Sequence, residues 1–100
     1  MKLKELIIAV KEKNLTKEQL EDYSDQMSSL FAEMQIEMAE LEKEEALFMD
    51  MKQVEDSVAE TKIKWKGTEN GRRLIVLKRY CLAVKELLNS LKSRTYRLLF

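Results

Sequence analysis

Both glycines of this chain fall within one five-residue stretch, Gly67 to Gly71, and there is no proline. Glycine and proline are the strongest interrupters of regular structure. Their confinement leaves the rest of the chain free to form long helices and marks one place where it is expected to turn. The composition agrees: 36% of residues are charged, and the chain is rich in Glu, Lys, Leu, Ala and Met, the profile of long helices or coiled coils. One hundred residues allow one domain, 1–100.

Leu3, Leu6, Ile7 and Val10 fall at i, i+3, i+4 and i+7, which predicts a short amphipathic helix over about 2–13. Thr16 then starts a capping-box signature with Gln19, three residues on. From there to about Lys64 no breaker is evident, and a single acidic helix over 17–65 is expected. Its apolar series runs Leu20, Tyr23, Met27, Leu30, Met34, then slips by one to Met38, Leu41, Phe48, Met51, Val54 and Val58. Tyr23 to Ser28 and Glu42 to Glu45 are the segments where such a long helix would break. The glycine pair predicts a tight turn at 67–71, with Thr68 able to cap the helix that follows. The last helix, 71–98, carries Leu74, Leu77, Cys81, Val84, Leu88 and Leu91 at alternating spacings of three and four. A second stripe, Ile75, Leu82 and Tyr96, widens its apolar face beyond what two strands need. The expected fold is all-α: an antiparallel coiled-coil hairpin assembled into a helical bundle.

Charge follows the same division. Residues 1–20 carry +2, residues 21–60 carry −11 and residues 61–100 carry +9, which sum to the net charge of zero. A turn centred near residue 69 would place Leu88 near Met51, Leu77 near Thr61, and Arg94 and Arg97 alongside Glu40 to Glu45. Ion pairs of this kind are worth about 0–1 kcal/mol each when exposed. Burial of each Leu, Val or Met is worth about 1.5–3 kcal/mol, so charge would select the arrangement that burial stabilises. In this register the last helix misses the start of the acidic one. Met27, Leu30, Phe31 and Met34 would form an apolar overhang, and such patches mark interfaces. A homo-oligomer follows, most simply a two-fold dimer.

The residues for most enzyme chemistry are missing. With no histidine, the chain lacks the commonest general base and metal ligand. Cys81, the single cysteine, sits in the apolar seam and reads as a buried hydrophobe; alone it forms no internal disulfide. Glu37, Glu40, Glu44 and Glu45 share helical spacings but lack the Glu-x-x-His partner of carboxylate metal bundles. No phosphate-loop motif is present. No catalytic residue, metal, cofactor or small-molecule substrate is expected, and no apolar run is long enough to span a membrane. Leu6 to Val10 is short for a secretory leader, so a cytoplasmic protein of a microbe or its virus is expected.

Two binding surfaces remain. The first is the acidic and apolar surface of the long helix: Met27, Leu30, Phe31, Met34, Glu37, Glu40 and Glu44. It would dock on a protein partner and, by imitating nucleic-acid charge, block a basic channel. The second is a basic tip at the glycine turn, Lys62, Lys64, Trp65, Lys66, Arg72 and Arg73, where cations would hold phosphates and the indole would stack on a base. The plainer alternative is that Trp65 packs against Leu74 and the lysines are solvated.

The segment Lys62-Ile-Lys-Trp65-Lys-Gly-Thr68-Glu-Asn-Gly71-Arg72, with Leu77-Lys78-Arg79-Tyr80 and Ser90-Leu-Lys-Ser93-Arg94, resembles small helical-hairpin proteins encoded by bacteriophages. The resemblance covers roughly residues 30 to 98 and brings no catalytic residue with it. It implies a viral accessory protein in the host cytoplasm that works by binding, as anti-CRISPR proteins do in inhibiting a host defence nuclease. A nucleic-acid-binding accessory protein is the alternative, and a structural or assembly coiled coil a further one.

Overall fold

A computed structural model describes residues 2–52 and 56–99, with side chains as far as Arg97. Among the described residues there are four helices and no strand: α1 (Leu3–Val10), α2 (Lys17–Lys52), α3 (Val58–Gly67) and α4 (Glu69–Leu99). The all-α hairpin is as expected, with α2 packed against α4. The position of its turn is not.

Two compact units divide the chain: residues 1–33 with 81–100, and residues 34–80. The second unit contains the end of α2, all of α3 and the start of α4. Its core is Leu41, Trp65, Leu74 and Leu77, with Met34, Met38 and Phe48 packed against them. The rings of Phe48 and Trp65 lie 5.6 Å apart, tilted by 50°. Arg73 donates from Nε and Nη2 to the two carboxylate oxygens of Glu37, at 2.8 and 3.1 Å. Asn70 donates to Glu44 at 2.6 Å. The midpoints of the pairs 48/65, 44/70 and 37/73 all fall near residue 56. The chain therefore reverses between Lys52 and Val58, and the expected helix over 17–65 is two helices.

The device that begins the return arm is Ser57. Its hydroxyl accepts from the backbone N–H of Glu60 at 3.2 Å, which satisfies one of the first-turn donors left without partners at a helix start. The fully buried Thr61 donates its hydroxyl proton to the Ser57 carbonyl at 2.8 Å. Lys64 ties α3 to Asp56 with a 2.7 Å ion pair. Val54, expected in the acidic seam, lies outside the described residues.

The glycine stretch does not reverse the chain. It interrupts it at one residue, Thr68, whose backbone is extended. As anticipated, Thr68 caps the next helix: its Oγ1 accepts from Gly71 N–H at 3.0 Å and donates to the Trp65 carbonyl at 2.6 Å. α4 starts at Glu69 rather than 71. Gly71 is needed for a close approach. A Cβ there would sit 1.8 Å from the Trp65 carbonyl oxygen, whereas one at Gly67 would meet nothing within 4 Å. No described residue has positive φ.

The first unit combines α1, the start of α2 and the end of α4, and three helical segments supply its buried side chains: Leu6, Val10, Leu20, Met27, Cys81, Val84, Leu88 and Leu91. The Thr16 capping box forms as expected. Thr16 N–H donates to Gln19 Oε1 at 3.0 Å, and Gln19 N–H to Thr16 Oγ1 at 3.1 Å. α1 stops at Val10, and the Arg94 guanidinium donates to the carbonyls of Val10 and Glu12 just beyond. The Val10 carbonyl belongs to the set a helix leaves without internal partners at its C-terminal end, and the Glu12 carbonyl lies in the segment that follows. Arg94 is thus spent on α1, not on Glu40 to Glu45.

Candidate interaction surfaces

With the reversal near residue 56, the apolar overhang closes. Met27 is fully buried. Leu30 and Phe31 are half-buried, and Met34 packs onto the core of the second unit. The case for a dimer held through these four side chains goes with the register that exposed them. Met51, expected opposite Leu88, is instead 76% exposed.

The acidic residues divide. Glu37 is held by Arg73. The hydrogen bond from that guanidinium is the main reason its carboxyl is pulled below the ordinary carboxylate range, opposed in part by desolvation. Glu40, Glu42 and Glu44 are exposed. Glu44 accepts from the neutral amide of Asn70. Among the described residues, Glu37–Arg73 is the one ion pair between α2 and α4. Among the described residues, most of the acidic side chains of α2 are therefore without a salt bridge to the basic arm, contrary to the flanking pairs expected.

Exposed apolar side chains share this part of α2. Ile36, Leu47 and Met51 stand open to solvent in the second unit. At 3.6 residues per turn, Ile36, Glu40, Glu44, Leu47 and Met51 occupy an arc of about 80°. The sequence signal for this face is present but hidden, because Met51 fits a heptad seam and reads as an inward-facing residue.

The basic set does not form a tip. Trp65 is buried at 6% exposure, in the core with Leu74, so its indole is not presented for stacking. Arg73 is engaged with Glu37 and Lys64 with Asp56. Lys62, Lys66 and Arg72 are exposed.

Cys81 is buried, and that burial pushes its thiol above the ordinary range. The thiol stays protonated and is a poor nucleophile. Among the described residues no three Cys, Asp or Glu side chains converge as metal ligands, and no helix is long and apolar enough to cross a membrane. No protein-family model matches the chain, and no curated protein or solved structure is significantly similar to it.

Proposed function

We propose that this chain is a non-enzymatic interaction module that docks on a basic protein partner through the Ile36–Met51 face of α2 and inhibits it. The observation that carries this reading is the mixture on that face. Three exposed apolar side chains flank Glu40 and Glu44, neither of which is in an ion pair among the described residues. Apolar side chains at the centre of a contact supply affinity, while the carboxylates steer and select a cationic partner. A helix that presents carboxylates along one side imitates the charge of a nucleic-acid strand, so a basic nucleic-acid-binding channel is the surface it would block. The resemblance to phage hairpin proteins supports a setting in an infected cell, with a host defence nuclease as the class of target.

The test is capture of nucleic-acid-binding proteins from host extract, followed by a DNA-binding assay on what is captured. The native chain should both retain its partner and inhibit that partner's DNA binding. Glu40→Lys/Glu44→Lys should abolish both effects while helicity is unchanged. Retained inhibition by the reversed variant would remove the acidic face from the mechanism.

A further inference from the structure

In the first unit, the segment just after α1 and the last turns of α4 line an open cleft of about 300 Å³. Lys11 and Lys13 line it from the α1 side, and Arg94 and Arg97 from α4, with Glu12 the one carboxylate among them. Ser90 and Ser93 add two hydroxyls. Ser90, Arg94 and Arg97 sit at i, i+4 and i+7 and so share a face of α4.

Arg94 builds the cleft. Its terminal nitrogens are occupied by the Val10 and Glu12 carbonyls. That contact offsets the negative end of α1 and fixes the segment carrying Lys11 and Lys13 beside α4. Lys11, Lys13 and Arg97 are exposed cations, and none is in an ion pair among the described residues. One carboxylate against four cations leaves the lining at +3. Cations and hydroxyl donors brought together from α4 and the segment after α1 suit an anion with several oxygens and more than one charge.

We propose that this cleft binds a multiply charged phosphoryl group, such as pyrophosphate or the phosphate tail of a nucleotide. The guanidinium of Arg97 and the ammonium groups of Lys11 and Lys13 supply the charge, and Ser90 and Ser93 donate to the remaining oxygens. Because the cations are exposed, binding weakens steeply as salt screens them.

Titration of the isotopically labelled full-length chain with pyrophosphate, and separately with ATP, tests this by amide chemical shifts and calorimetry at low salt. Shifts should concentrate at residues 11–13 and 90–97. Lys13→Gln and Arg97→Gln should each weaken binding about tenfold, the effect of removing one charged hydrogen-bond donor. Arg79→Gln, an equal loss of charge in the other unit, should leave affinity unchanged. Circular dichroism confirms that each variant is folded, and Arg94 is left intact because it holds α1. Equal weakening by Arg79→Gln would overturn the site in favour of diffuse attraction. Binding of a single-stranded oligonucleotide with no response to pyrophosphate or ATP would overturn the assignment of the ligand.

Discussion

Arg73 grips the Glu37 carboxylate through two hydrogen bonds, 2.8 and 3.1 Å long, and so joins residues that a turn at 67–71 would hold far apart. The pair marks the register of the hairpin without being its main support. Both side chains are about half exposed, and solvent screens the attraction. Glu37→Gln should cost no more than about 1 kcal/mol at neutral pH.

The pH dependence of that cost has a definite sign. Arg73 lowers the folded-state pKa of Glu37 below its ordinary value of 4.5. The stabilisation is then complete above the unfolded-state pKa and disappears as pH falls through the lowered one. Urea unfolding of the native chain and Glu37→Gln should differ at pH 7 and converge under strongly acid conditions.

The two glycines should respond oppositely to alanine. At Gly71 the added methyl would lie 1.8 Å from the Trp65 carbonyl oxygen, so α3 and α4 would have to separate. A loss of about 1–3 kcal/mol is expected. At Gly67, where the new methyl meets nothing, Gly67→Ala should stabilise by roughly 0.5–1 kcal/mol. Thermal melts of the two variants should shift in opposite directions.

Trp65 is the only tryptophan and reports directly on the second core. At 6% exposure it should emit as a buried indole and resist quenching by iodide. Trp65→Ala should cost about 3–5 kcal/mol. Added oligonucleotide should leave the emission unchanged; strong quenching would mean that the ring is offered to a base after all.

Ser57→Ala should remove about 1 kcal/mol, because it deletes the hydroxyl that accepts from Glu60 at the start of α3. The same substitution at Ser90, outside any cap, should leave the melt unchanged.

These side chains also show what was legible in the sequence. The α4 stripe Leu74, Leu77, Cys81, Val84, Leu88 and Leu91 is buried throughout, because a spacing of three and four states which face turns inward whatever covers it. The Thr16–Gln19 box and the Thr68 cap were legible for a similar reason, each being a local contact. The reversal was not. Glycine is permissive, and at Gly71 the permission is used for close packing rather than for a turn. Ser57-Val-Ala-Glu60 has the same S/T-x-x-E/Q form as Thr16-Lys-Glu-Gln19, but Val54 and Val58 carry the apolar series past it and disguise the helix start. A turn at 67–71 lies about a dozen residues from the reversal near 56, and every pairing expected across the hairpin shifts with it. The overhang at Met27 to Met34 and the partners of Arg94 were the consequences.

Intramolecular cross-linking tests the register most directly. Two double-cysteine variants are made in a Cys81→Ser background, Glu37→Cys/Arg73→Cys and Met51→Cys/Leu88→Cys, and treated at high dilution with a short bismaleimide. A reversal near residue 56 predicts efficient bridging of 37 to 73 within one chain and none of 51 to 88. Bridging of 51 to 88, with 37 and 73 unlinked, would restore the turn at 67–71 and contradict the fold described above.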